Sequence, residues 1–103
     1  MEPKIPIDQE KIAAFCQKWK IVEFSLFGSV LTDDFRPDSD VDVMITFAPE
    51  ARWRMSHWFE MQDELRRLFG RDIDLVARPD VERMENYIRR RAILAGASRV
   101  YAH

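Results

Sequence analysis

Ten residues separate Gly28-Ser29 from Asp40-Val41-Asp42, and an apolar run flanks that interval on each side. The upstream run, Phe24-Ser25-Leu26-Phe27, ends at the glycine. The downstream run extends from Val41 to Phe47 and alternates from its first residue. Alternation at period two is the mark of a strand, and residues two apart on a strand share a face. Asp40 and Asp42 therefore stand side by side. A strand that loads two negative charges onto one face calls for a divalent cation, because carboxylate oxygens are what a hard cation takes.

The rest of the chain arranges itself around this pair. Residues 1–7, with Pro3 and Pro6, read as a loosely held arm. Asp8 is an N-cap for a helix whose apolar stripe is Ile12, Phe15, Cys16 and Trp19. Ile21 to Phe27 is the first strand, with Val22, Phe24 and Leu26 on its buried face, and Gly28 ends it. Val30 to Ser39 is a polar connection with room for a short helical turn. Asp40 to Phe47 is the second strand. Trp53 to Phe69 is a helix with Ser56 as a candidate cap and Gly70 as its stop; its stripe is Trp58, Met61, Leu65, Leu68 and Phe69.

Asp72 to Ala77 is the third strand. Asp80 then opens a last helix running to about Ala95, with Gly96 as its stop. Arg89-Arg90-Arg91 falls in its second half, where cations complement the helix dipole, and a partner-binding patch is the other use of such a run. Val100-Tyr101 is a short edge strand. The order is that of a small α+β (α/β) fold, a single domain over 1–103. Its mixed sheet packs helices on one face and opens the other, which carries Asp40, Asp42 and Asp74.

Composition narrows the function. Of the 103 residues 47% are hydrophobic, enough for a packed core, and the one cysteine rules out an intrachain disulfide and points to a reducing compartment. No apolar run reaches membrane-spanning length and no signal peptide is visible, so a soluble cytoplasmic protein is expected. The net charge of −2 argues against a nucleic-acid binder. The charge is uneven: residues 1–50 carry ten acids and five bases, residues 51–103 eight acids and eleven bases.

With the second and third strands as neighbours, Asp40, Asp42 and Asp74 converge. Two like charges about 4 Å apart cost about 4 kcal/mol at an effective dielectric near 20. A domain stable by only about 5–15 kcal/mol does not absorb three such carboxylates without a counter-ion. Two Mg²⁺ ions sharing them can clamp the attacking and leaving oxygens of a phosphoryl displacement. Gly28 lets backbone N–H groups approach a phosphate and Ser29 adds a hydroxyl donor. His57, without a second ligand nearby, reads as a surface or capping residue, and His103 as a disordered terminus. Asp72 reads as a cap at the start of the third strand. Trp53, Trp58 and Phe59 have two uses, packing and stacking on a base.

Phe27-Gly28-Ser29, the segment Arg36-Pro37-Asp38-Ser39-Asp40-Val41-Asp42 and the segment Arg71-Asp72-Ile73-Asp74-Leu75-Val76 resemble the minimal nucleotidyltransferases of the DNA polymerase β superfamily. The resemblance implies a polymerase-β-like core, with Asp40 and Asp42 as metal ligands and Asp74 as the third carboxylate, which helps activate the attacking hydroxyl. It implies Gly28 and Ser29 at the triphosphate of ATP. Many such small proteins are antitoxins of HEPN/MNT pairs. That resemblance implies AMP transfer to a tyrosine of a HEPN toxin within a hetero-oligomer, or neutralisation of that partner by binding alone. The family often has a basic residue directly after Gly-Ser, whereas this chain reads Val30-Leu31-Thr32-Asp33-Asp34. Arg36, Arg52, Arg54 and Arg78 are the candidate replacements, among which the sequence does not choose, and Arg36 stands with Gly28 and Ser29 as a phosphate-binding candidate.

Overall fold

The computed structural model describes residues 5–103. Its centre is a four-stranded mixed sheet in the order β3-β2-β1-β4. The strands are β1 (Ile21–Phe27), β2 (Val41–Phe47), β3 (Ile73–Ala77) and β4 (Ser98–Ala102), and the helices are α1 (Gln9–Lys18), α2 (Met55–Phe69), α3 (Arg78–Glu82) and α4 (Tyr87–Gly96). β1 runs antiparallel to β2 and β4, while β2 and β3 are parallel. The parallel pair is bridged by α2, as a parallel connection requires.

Local chemistry explains most boundaries. Asp8 caps α1 by accepting from Lys11 N–H at 3.2 Å. Gly70, at φ +68°, closes α2 in the left-handed region. The start of α2 differs from expectation. Arg54 is its N-cap residue and His57 Nδ1 accepts from the Arg54 N–H at 3.0 Å, so His57 is the capping residue and Ser56 is not. The C-terminus is also more ordered than expected. β4 is the edge strand foreseen at Val100-Tyr101, and the His103 N–H donates to Val22 O at 2.9 Å. Of the arm foreseen over 1–7, residues 1–4 lie outside the described residues, while Ile5 and Ile7 pack against the core.

One face of the sheet is dry. Phe24, Leu26, Val41, Val43, Ile45, Ile73 and Leu75 meet Ile12, Phe15 and Cys16 of α1 and Met61 and Leu65 of α2. Val22 is not among them. The β1–β2 register shifts between Ile21 and Glu23, and this irregularity puts Ile21 on the buried face in its place. Cys16 is fully buried, and burial pushes its thiol up to about 12, so it serves as a small core residue. Trp53 and Trp58 pack here too: Trp53 donates to Trp19 O at 2.9 Å and Trp58 meets Phe47 with ring centroids 6.5 Å apart. Phe59 is exposed.

The opposite face is not open throughout. The long helices α1 and α2 lie on one side, as expected, but the short α3 and α4 cover part of the other. Phe27 and Met44 form a second cluster there with Val81 of α3 and Ile93 of α4. The helix expected from Asp80 to Ala95 is thus two helices. The first carries Pro79 in its opening turn and ends at Glu82; the second is capped by Asn86, whose side chain accepts from Arg89 N–H at 3.0 Å. Gly96 belongs to α4, which ends at Ala97 as its cap. Arg89-Arg90-Arg91 therefore lies in the N-terminal half of a helix, the half that disfavours cations, and the reading of these residues as C-terminal complements is corrected.

Candidate active site

The site forms where β1 ends and β2 and β3 begin. Phe27 pairs with Asp42 across the antiparallel ladder, and Asp42 pairs with Asp74 across the parallel one. Partners in adjacent strands stand about 4.8 Å apart and share a face, so the two carboxylates are neighbours by register alone. Asp40 lies just outside β2, which starts at Val41. Val41 N–H donates to Asp72 O at 2.9 Å, which ties the starts of β2 and β3 together. Asp72 itself is exposed and its carboxylate lies 3.8 Å from Arg66, so it stands apart from the trio.

Asp42 carries the mark of its neighbours. Asp42 is half-buried, and its carboxyl is raised from 3.8 to about 6: burial is the largest cause, followed by the charges of Asp74 and Asp40. Arg89 acts in the opposite direction. An all-oxygen donor set carrying repelling charges suits a hard cation such as Mg²⁺ in its chemistry. Among the described residues no group of three or more His, Cys, Asp or Glu is yet arranged to hold a metal ion.

Gly28 has φ +77°, and a Cβ built there would collide with Asp42 Oδ2. The expectation that this glycine makes space for a phosphate is refined: the space beside its Cα is taken by the Asp42 carboxylate. Residues Gly28–Leu31 form one 3-10 turn, which starts at the glycine, two residues earlier than the connection in which a short helical turn was foreseen. Ser29 O accepts from Thr32 N–H and from Thr32 Oγ1, both at 2.9 Å, which fixes the turn. Val30 and Leu31 are buried core residues, so the connection is not polar at its start. Their apolar character has a packing reason, and no cation fits where they sit.

The loop leading to Asp40 is held by a residue not singled out from the sequence. Arg71 donates to Arg36 O at 3.0 Å and to Pro37 O at 2.8 Å, and its guanidinium lies 4.5 Å from the Phe35 ring centroid. Arg36, the candidate phosphate ligand, is exposed; its backbone N–H donates to Ser39 Oγ at 3.0 Å. Arg52 is folded back onto Pro49 O and Ala51 O, and Arg78 is paired with Glu23 at 2.8 Å. The cation whose charge reaches Asp42 is Arg89. Its signal in the sequence was Asn86, a good N-cap three residues before it.

Residues 9–96 match the nucleotidyltransferase domain family. The chain belongs to that family. The putative protein adenylyltransferase MJ1379 of Methanocaldococcus jannaschii is 27% identical over 64 residues, covering 62% of this chain. The match spans 64% of that relative, less than two thirds of its length. The fold is shared with solved structures at lower identity. A toxin–antitoxin crystallised with AMP-PNP aligns over 94% of this chain and 75% of its own at TM-score 0.69 and 17% identity. A protein described as a putative minimal nucleotidyltransferase aligns over 87% of this chain and 86% of its own at TM-score 0.66 and 23% identity. An MNT antitoxin with the tri-AMPylated HEPN toxin of Shewanella oneidensis aligns over 92% and 70% at TM-score 0.61 and 18% identity. The nucleotidyltransferase fold expected from the sequence is thus the fold present, and no helix among the described residues is long and apolar enough to cross a membrane.

Proposed function

We propose that this nucleotidyltransferase domain transfers AMP from ATP to a hydroxyl of a partner protein, and that the partner is a HEPN-type toxin held in a hetero-oligomer. The observation that carries the chemistry is the cross-strand pair Asp42–Asp74 against Gly28, with the Asp42 carboxyl raised to about 6 by burial and by its acidic neighbours. The partner class rests on fold-level likeness to an MNT antitoxin found with an AMPylated HEPN toxin.

Asp40, Asp42 and Asp74 would hold Mg²⁺, which supplies charge neutralisation at the phosphates and polarises the reacting oxygens. Gly28 keeps the Asp42 carboxylate seated against the backbone, and Ser29 offers its hydroxyl to a phosphate oxygen. In the reaction the acceptor hydroxyl oxygen attacks the α-phosphorus. The bond from that phosphorus to the bridging oxygen breaks, and pyrophosphate leaves with the electron pair. Asp74, the more exposed of the strand pair, takes the hydroxyl proton and returns it to solvent. A tyrosine acceptor is consistent with this arrangement, since its phenolate forms at modest cost beside a cation.

The test is incubation of the purified protein with Mg²⁺, α-labelled ATP and the protein encoded beside it. Label on the partner is expected with the wild-type chain and absent with Asp42→Asn. An unlabelled partner, or full labelling by Asp42→Asn, refutes the reading. A second reading, neutralisation by binding without turnover, is favoured by one feature: Val30 and Leu31 replace the usual cation with buried core. It predicts that the double change Asp40→Ala, Asp42→Ala still neutralises the partner.

A further inference from the structure

The carboxylate end of this site is anionic, and a nucleotide triphosphate approaching it needs a cation that the turn after Ser29 does not supply. We propose that Arg89, carried in by α4, is the phosphate-binding cation of the site, in place of a basic residue after Gly28-Ser29. The proposal rests on the nucleotidyltransferase reading above and deepens it.

Placement is the first support. Ile93 of α4 packs with Phe27 and Met44, and Phe27 is the residue paired with Asp42. Arg89 lies four positions before Ile93, one turn away on the same side of the helix. The packing that anchors α4 to the sheet therefore brings the turn bearing Arg89 to the side of the sheet that carries Asp42. The charge of Arg89 is felt at Asp42, where it opposes the effect of Asp74 and Asp40.

Its neighbours are occupied elsewhere. Arg90 donates to Met84 O at 2.8 Å and lies 5.3 Å from the Tyr87 ring centroid, and Arg91 reaches Tyr87 Oη at 3.4 Å. Arg89 is exposed, and its backbone N–H is the one that Asn86 caps. Helix stability gives no reason for it, since a cation in the first turn opposes the dipole. Of the other candidates, Arg52 is folded onto backbone carbonyls, Arg78 is paired with Glu23 and Glu82, and Arg54 stands at the start of α2, which leaves Arg36, exposed in the loop that Arg71 holds, as the competing cation. With a divalent ion held by the aspartates, the Arg89 guanidinium would offer phosphate oxygens a bidentate fork.

The experiment compares wild-type protein with Arg89→Ala and Arg89→Lys, each checked by thermal melting. Affinity is measured for a non-hydrolysable ATP analogue with Mg²⁺ and, separately, for AMP. Arg89→Ala should weaken the triphosphate analogue about tenfold or more, as expected for loss of a charge-assisted contact. AMP affinity should change little, and Arg89→Lys should recover part of the loss. With an active preparation the KM for ATP should rise more than kcat falls. An unchanged triphosphate affinity in Arg89→Ala, or an equal loss for AMP and triphosphate, overturns the proposal while leaving the nucleotidyltransferase reading intact. Absence of any analogue binding by the wild-type protein with Mg²⁺ overturns both.

Discussion

The two faces of this sheet are made from the same strands and behave as different materials. On the side of α1 and α2, Phe24, Leu26, Val41, Val43 and Ile45 are buried almost without remainder. On the side of α3 and α4, burial is concentrated at Phe27, Met44, Val81 and Ile93, and it stops short of Asp40 and Asp74. Residues one apart thus have opposite duties. Val41 and Val43 hold the fold, and Asp42 between them is strained by the company it keeps. The half-covered face can hold charges because water still reaches them, and it can use them because the packed face leaves their backbone no freedom.

Substitutions on the two faces should separate stability from chemistry. The largest effect is expected on the packed side: Phe24→Ala removes a fully buried ring and should cost about 3–5 kcal/mol in denaturant unfolding. Transfer activity in the fraction that remains folded should persist. The mirror case is Asp42→Asn, expected to lower AMP transfer by at least about 100-fold, by the scale of disturbances to a metal site, without loss of folding. If both variants lose stability together, the division between faces is wrong.

Gly28→Ala should breach the division, because it affects both. The added Cβ meets the Asp42 carboxylate at a backbone φ of +77°, so a stability loss of about 1–3 kcal/mol and loss of transfer are expected together. Chemical unfolding and an activity assay on one preparation suffice to see it.

A smaller effect is tied to pH. The folded-state pKa of Asp42 is about 6 against an ordinary 3.8, so the folded protein holds this proton more tightly than the unfolded chain does. The stability contributed is full below about pH 4 and is lost as pH rises through 6. In metal-free buffer, Asp42→Asn should therefore melt above wild type at pH 8, by about 4–8 °C if about 1 kcal/mol survives solvent screening of this half-exposed group. The gap should close near pH 4. A gap independent of pH would show that repulsion is not its cause. The smallest effect is expected at Asn86→Ala, which removes the cap of α4 and should cost about 1 kcal/mol. It should also loosen the helix bearing Arg89, seen as weaker binding of the ATP analogue.

Much of this architecture was legible from residue order. Period-two alternation placed β1, β2 and β3, the helical stripes placed α1 and α2, and the spacing of Gly28 from Asp40 and Asp42 marked the site region. Those signals survive because they are local: burying one face of a strand requires alternation whatever lies above it. The misreadings came where two elements compete for one segment. The interval from Asp80 to Ala95 has a continuous helical stripe, yet Asn86 and the need to cover Met44 and Phe27 divide it into α3 and α4. Val22 yields to Ile21 on the core face through a register irregularity that no periodicity announces.

The sequence by itself determined that one strand ends in a Gly-Ser turn and that the next opens with Asp40 and Asp42 on one face, because residues two apart on a strand point the same way. Only the tertiary structure decided three things. Asp42 and Asp74 became partners through the parallel pairing of β2 and β3. The space at Gly28 went to the Asp42 carboxylate. Arg89, forty-seven residues beyond Asp42, came within reach of its charge through Ile93 packing on Phe27. Each depends on contacts between segments far apart in the chain, and register, steric fit and long-range charge exist only once those segments meet.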